Sequence, residues 1–64
     1  MKLVDSATGK VIANMIADPG TSIEDAIYLA GLEECILDPS TLEKGWVDDE
    51  GDEHYTEDLV LEAD

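Results

Sequence analysis

The chain has 64 residues and a formal net charge of −14 at pH 7, because 17 acidic residues are set against three lysines and no arginine. Contacts to phosphate need clustered Lys and Arg, so this balance excludes direct binding of nucleic acid and adhesion to an anionic membrane. The single cysteine, Cys35, excludes an internal disulfide and is typical of a reducing compartment.

The start of the chain lacks the charged and apolar regions of a secretory signal, and no apolar run is long enough to span a bilayer. We therefore expect a cytoplasmic protein that folds as a single domain over residues 1–64. A domain of about 60 residues buries only roughly 60% of its unfolded surface, so we expect modest stability. With one Trp, two Tyr and no Phe, its core must be aliphatic.

Two aliphatic runs come first in the chain and predict a β-hairpin. Residues 3–5 and 10–17 flank the polar connection 6–9, in which Gly9 suits a turn position with positive φ. Both faces of the second run are largely apolar. We therefore expect this second strand in the interior of the sheet.

A helix over about 22–30 follows, and we expect it to lie on the hairpin. Thr21 and Ser22 offer an N-cap, and Gly31 is placed to end the helix in the left-handed conformation. Apolar residues at helical spacing form one stripe, made of Ile23, Ala26, Ile27 and Ala30.

Shorter elements are predicted beyond the helix. The apolar run 35–37 fits either a strand or the wall of a loop, because three residues are too few for periodicity to decide. Ser40 and Glu43 follow Pro39 at capping-box spacing, which predicts one turn of helix ending at Gly45.

A second hairpin is predicted at the C-terminal side. Residues 46–47 and 55–62 flank the polar segment 48–53. Within 55–62, the alternation of Leu59 and Leu61 with Val60 favours a strand over a helix. Together the elements predict an α+β domain with a ββαββ-like order, a mostly antiparallel sheet and one main helix.

The negative charge is concentrated in the second half of the chain. Residues 1–32 hold four acids and two lysines, net −2, whereas residues 33–64 hold thirteen acids and one lysine, net −12. Along a hairpin arm, the seven carboxylates between 48 and 58 would give about one charge per 2.4 Å, against one per roughly 1.7 Å in duplex DNA. They are Asp48, Asp49, Glu50, Asp52, Glu53, Glu57 and Asp58.

This density suggests that the acidic face binds a basic protein surface, as a mimic of nucleic acid that occupies the site of a DNA- or RNA-binding protein. Trp46 and Tyr55 lie beside the acids, either as core residues packed across the hairpin or as interface anchors. The alternatives are a solvated acidic loop that aids solubility and a small adaptor domain that self-associates, as in a homodimer.

Catalytic and metal-binding patterns are incomplete. Residues 46–57 match only part of an EF-hand loop, with Trp46 at its first ligand position, so a divalent-cation binder is a weaker alternative. Cys35 and His54 lack an oxyanion hole and an orienting third group, and among acids His54 is expected to be a surface imidazolium. We therefore expect no enzyme, no metal site and no cofactor.

The layout, with LVD at 3–5, TGKVIA at 8–13 and SIEDA at 22–26, resembles the short acidic proteins of phages and mobile elements. Some of these are anti-CRISPR proteins and other inhibitors of host defence. The resemblance covers size, charge and general layout. It implies inhibition by occlusion of a basic DNA- or RNA-binding groove, with no catalytic residue in the inhibitor itself.

Overall fold

The computed structural model describes residues 1–16 and 18–63, and within them the chain forms one α-helix and six strands. The helix, α1, spans Ile23–Ala30. The strands are β1 (Lys2–Asp5), β2 (Val11–Asn14), β3 (Glu33–Asp38), β4 (Glu43–Val47), β5 (Glu53–His54) and β6 (Leu59–Glu62). They make two antiparallel three-stranded sheets, the core sheet β2-β1-β6 and the acidic sheet β3-β4-β5. The predicted α+β class is confirmed.

Both ends of the helix follow from local sequence. The Ser22 hydroxyl oxygen accepts a hydrogen bond from the Asp25 N–H at 3.2 Å, which satisfies one of the unpaired amides of the first turn. Gly31 adopts φ 73° and donates its N–H to the last carbonyls of the helix. The predicted helix and both of its caps are confirmed.

The core is aliphatic, as composition required, and α1 packs on β1 and β6. Its fully buried members are Leu3, Ala26, Ile27 and Leu59. Burial of each larger aliphatic side chain contributes about 1.5–3 kcal/mol. Trp46 from the acidic sheet is partly buried against this cluster, so the indole joins the two sheets.

The position of β2 in its sheet differs from the prediction. The core sheet has β1 at its centre and β2 at its edge, where Val11 is 46% exposed. The strand is also shorter than the predicted 10–17, and Ala17 lies outside the described residues. The expected interior position was wrong because β6, distant in sequence, pairs with the other side of β1.

The second hairpin was also predicted with the wrong partner. Only β5 pairs with β4, whereas the last strand β6 pairs with β1. A 3-10 turn, Thr56–Asp58, redirects the chain between β5 and β6. The N–H and the hydroxyl of Ser6 both donate to the Asp58 carbonyl, at 2.7 and 2.9 Å, and fix this crossing. The choice of strand over helix is confirmed for Leu59–Glu62.

The segment between β3 and β4 is a hairpin turn, so the helical turn predicted from Ser40 and Glu43 was wrong. The Ser40 N–H donates to Asp38 Oδ1 at 2.9 Å, and Leu42 adopts φ 60°. A short polar side chain that captures a nearby backbone amide stabilises a turn as readily as a helix start. The ambiguous run 35–37 lies in β3 and is therefore a strand.

Gly45, buried in the middle of β4, allows the close approach of two neighbouring chain segments. A Cβ at this position would overlap the side chain of Leu37 and would lie 2.6 Å from the carbonyl oxygen of His54. Backbone and side chain therefore occupy the space that any other residue would need.

We predict that Gly45→Ala lowers the free energy of unfolding by about 1–3 kcal/mol, because the strands must shift to admit the methyl group. Urea titration followed by the fluorescence of Trp46 measures the loss. Gly20→Ala is the matched control, since a Cβ at Gly20 meets nothing within 4 Å. Equal stability of the two variants would contradict the packing described for Gly45.

Candidate functional site

The acidic turn, residues 48–52, is organised around one of its own carboxylates. Asp48 Oδ1 accepts hydrogen bonds from the N–H groups of Glu50 and Asp52, at 2.9 and 3.1 Å. The Gly51 N–H donates to the Asp48 carbonyl, and Gly51 adopts φ 85°. The Asp48 side chain is only 5% exposed. The buried carboxylate of Asp48, the first residue of the turn, therefore stabilises the backbone conformation of the turn.

His54 is held between two buried carboxylates. Its Nδ1 lies 2.6 Å from Asp5 Oδ2, and its Nε2 lies 2.6 Å from Asp48 Oδ2. The three side chains are 2–5% exposed. An ionised carboxylate only accepts hydrogen bonds, so both ring nitrogens must carry a proton to make both contacts. The three groups form an aspartate–imidazolium–aspartate cluster.

Lys10 supplies a second cation to the same place. Its Nζ lies 2.8 Å from Asp48 Oδ2, 2.6 Å from Asp52 Oδ2 and 3.2 Å from Glu50 Oε1. The carboxylates of Asp5, Asp48, Glu50 and Asp52 thus surround Lys10 and the protonated His54. These six side chains together carry a charge of −2. We call Asp5, Lys10, Asp48 and His54 the buried charge network.

The network also fixes the turn between β1 and β2. Asp5 uses Oδ1 to accept the N–H groups of Ala7 and Thr8, at 2.9 and 3.4 Å, while its Oδ2 faces His54. The Gly9 N–H donates to the Asp5 carbonyl at 2.7 Å. One aspartate therefore orders the turn of the core sheet and binds the imidazolium of the acidic sheet.

Hydrogen bonding outweighs burial in the pKa values of the network. Burial opposes the charge on His54, yet the hydrogen bonds to Asp5 and Asp48 raise its pKa above the ordinary 6.5. Burial likewise opposes the charges on Asp48 and Asp5, but bonds from His54, and for Asp48 also from Lys10, hold both pKa values below the usual range. The Lys10 pKa is raised by Asp48 and Asp52. All four groups favour their charged forms.

The prediction of His54 as a surface imidazolium was wrong in its location, because the side chain is 2% exposed. His54 lies directly across from Trp46 in the β4–β5 pair, on the face that contacts the core. Asp5 and Lys10 were not predicted as members of the site. One indication of these contacts is present in the sequence. It holds only three lysines and one histidine, so a buried carboxylate must pair with one of these four side chains.

The two faces of the acidic sheet carry different residues. Glu33 lies opposite Val47, and Val47 opposite Glu53, so these three share the face that points away from Trp46 and His54. We call this the outer face. Glu33 and Glu53 are exposed, whereas Val47 is half-buried. The outer face therefore combines an apolar centre with charged margins.

Tyr55 follows β5 and is surrounded by acids. Burial raises the pKa of its phenol, and nearby carboxylates raise it further. These carboxylates belong to Glu43, Asp38, Glu53 and Glu57. Trp46, by contrast, packs toward the core and donates its Nε1–H to Thr56 Oγ1 at 2.8 Å. Of the two predicted aromatic anchors, Tyr55 is the one that lies among the acids.

The predicted contact residues thus divide into two groups. Asp48 is buried, and Glu50 and Asp52 are partly neutralised by Lys10. The other predicted residues are exposed or, like Asp58, half-buried. Exposed members of this second group are Asp49, Glu53 and Glu57. Glu33 and Glu43 are exposed carboxylates that the sequence analysis did not include.

The remaining observations concern metal binding, the reactivity of Cys35 and membrane crossing. Within residues 1–16 and 18–63, no cluster of three or more His, Cys, Asp or Glu side chains is arranged to hold a metal ion. Burial, together with Glu53 and Glu34, raises the pKa of the Cys35 thiol and so disfavours the reactive thiolate. No helix in the described part of the chain is long and apolar enough to cross a membrane.

Comparison of the chain with family models, curated proteins and solved structures found no match.

We predict that stability is greatest between about pH 4 and 6.5. The folded pKa of His54 lies above 6.5, so its contribution is complete below pH 6.5 and is lost as the pH rises toward the folded value. The expected slope is about 1.4 kcal/mol per pH unit. The contributions of Asp5 and Asp48 are lost as the pH falls below 3.8. Urea unfolding across pH 3–9 measures both limbs.

His54→Gln is the control for the alkaline limb, because an amide does not titrate. This variant should be less stable than the parent at pH 6 and should show a nearly flat profile above it. A parent protein whose unfolding free energy does not change between pH 6 and 9 would contradict the buried imidazolium.

We predict that Lys10→Gln lowers the melting temperature more than Lys44→Gln, although both remove one positive charge. Lys10 contacts three carboxylates, including buried Asp48, whereas Lys44 makes one exposed pair with Glu34 at 3.6 Å. Exposed pairs of that kind contribute little. Thermal unfolding followed by circular dichroism compares the variants, and equal losses would show that only the overall charge matters.

Proposed function

We propose that this protein is a non-catalytic interaction protein that binds a basic protein surface through the outer face of its acidic sheet and the adjoining acidic turn. The observation that supports this most directly is the distribution of cations. Between residues 33 and 63 the positive side chains are Lys44 and the buried His54. The carboxylates around Tyr55 therefore face solvent with little compensation from the chain itself.

The arrangement has the properties of an interface that recognises a basic partner. Tyr55 and Val47 offer partly buried apolar area, and the surrounding carboxylates offer a charged rim. Aromatic residues within such rims often contribute most of the binding energy. The buried charge network holds the turn in one shape before binding, so little ordering is needed when a partner arrives.

The partner in this proposal is a nucleic-acid-binding protein, and the effect is occlusion of its phosphate-binding surface. Dense clusters of Lys and Arg are characteristic of surfaces that contact the phosphate backbone. A net charge of −12 in residues 33–64 would steer association with such a surface, and added salt would slow it. A cytoplasmic location, which also keeps Cys35 reduced, belongs to the same proposal.

Absence of catalysis is supported by the environment of the reactive groups. Both nitrogens of His54 are engaged by carboxylates, and its side chain is 2% exposed, so it does not reach a substrate. The raised pKa of Cys35 disfavours a nucleophilic thiolate at neutral pH.

Self-association is the second candidate, favoured by the exposed apolar residues of α1. Tyr28 is 85% exposed and Leu29 is 60% exposed, and the two are adjacent on the helix. Sedimentation equilibrium distinguishes the two candidates. A dimer that dissociates when Tyr28 and Leu29 are changed to Lys would support the adaptor function.

We predict that the triple variant Asp49→Asn, Glu53→Gln, Glu57→Gln binds a basic partner about tenfold more weakly, if each exposed pair contributes roughly 0.5 kcal/mol. Binding to a panel of purified nucleic-acid-binding proteins, measured at low and high salt and with duplex DNA as competitor, gives the affinity.

A second triple variant with the same net charge, Asp18→Asn, Glu24→Gln, Glu62→Gln, is the control, because its exposed acids lie outside the acidic sheet and turn. This control should bind as the parent does. Equal weakening of both triples would mean that only total charge matters, and undiminished binding by the first triple would contradict the proposed face.

A further inference from the structure

The longest strand in the described part of the chain is an edge strand. β3 has six residues and, among the described strands, pairs with β4 alone. Its other side therefore offers a row of backbone N–H and C=O groups. The opposite edge of the acidic sheet is β5, which has only two residues. β3 thus provides the longer edge at which this sheet can be extended.

The side chains of β3 make this edge acidic at its start and apolar in its middle. Glu33 and Glu34 are exposed, and Ile36 is 54% exposed. Edge strands are protected by charged side chains or by Pro. The charges of β3 are all carboxylates, which repel a second acidic strand but attract a basic one. The irregular register between Ile36 and Asp38 bends only its far end.

We propose that the partner contributes an extended segment that adds to β3 as a fourth strand of the acidic sheet. The segment carries Lys or Arg beside Glu33 and Glu34, and apolar residues beside Ile36. This inference rests on the proposed function and specifies how the partner binds. Backbone hydrogen bonds to the edge supply affinity, and the alternating side chains supply selectivity.

Charge complementarity selects a basic segment over a second copy of this chain. Two copies would bring together chains of net charge −14 each, and Glu33 and Glu34 lie on the strand that would pair. Like charges on adjacent strands are destabilising, whereas opposite charges stabilise the pair. Lys44, on the neighbouring strand β4, already forms an ion pair with Glu34 of β3 at 3.6 Å.

The test uses the full chain, labelled with nitrogen-15, and the capped peptide Lys-Arg-Val-Ile-Val-Arg, which has the same length as β3. Binding should shift the amide signals of residues 33–38 and slow hydrogen exchange at alternate residues of the strand, because every second N–H points to the added strand.

Ile36→Lys should weaken binding of this peptide roughly tenfold, because a positive side chain at the centre of the edge repels a basic segment. Val11→Lys is the matched control: it makes the same change of charge at a 46% exposed residue on β2, the edge of the other sheet. The control should bind as the parent does, and both variants should keep the parent melting temperature within a few degrees.

Equal affinity of Ile36→Lys and Val11→Lys would overturn the inference, as would amide shifts confined to Glu53 and Glu57. That pattern, with binding still weakened in the triple variant of Asp49, Glu53 and Glu57, would leave the proposed function standing without strand addition. Dimerisation of the free protein that Ile36→Lys abolishes would make a second copy the occupant, and would also overturn the inference. If the parent protein does not bind the peptide, the inference is also overturned.

Discussion

The contact on which the whole structure depends is the imidazolium of His54 between the carboxylates of Asp5 and Asp48. It joins the central strand of the core sheet to the turn of the acidic sheet, and each aspartate uses its remaining oxygen to order a backbone turn. A lone buried charge would be costly, but here each carboxylate is satisfied by a cation and by backbone amides. Electrostatics thus stabilises a domain whose hydrophobic cluster has four fully buried members among residues 1–16 and 18–63.

The same contact explains how so acidic a chain tolerates its charge. The carboxylates that would repel each other most strongly, at the closely folded turn, are paired with Lys10 and His54. The remaining carboxylates are spread over exposed positions where water screens them. The carboxylates that stabilise the fold and those that remain exposed without Lys10 or His54 are therefore largely different residues. Substitutions at Asp48 and at Glu53 should accordingly affect different properties.

Local patterns in the sequence were sufficient for the helix and insufficient for strand pairing. Ser22 and Gly31 act within a few residues of themselves, so the limits of α1 could be predicted. β1 and β6 pair although they lie near opposite ends of the described chain. The alternation of apolar residues along 59–62 predicts a strand but does not identify the strand with which it pairs. For the candidate site, the exposed acids between residues 48 and 58 and Tyr55 were predicted, whereas Asp5, Lys10 and the burial of His54 depend on that long-range pairing.

The pairing of β1 with β6 also determines when the protein can fold during its synthesis. Until Leu59–Glu62 has left the ribosome, β1 has only β2 beside it, and an isolated hairpin is marginally stable in water. The contact between Asp5 and His54 likewise forms only after His54, 49 residues further along the chain, has been synthesised. Folding of the core sheet is therefore delayed until β6 has left the ribosome, and a ribosome stalled before β6 would hold an acidic chain whose core sheet is incomplete.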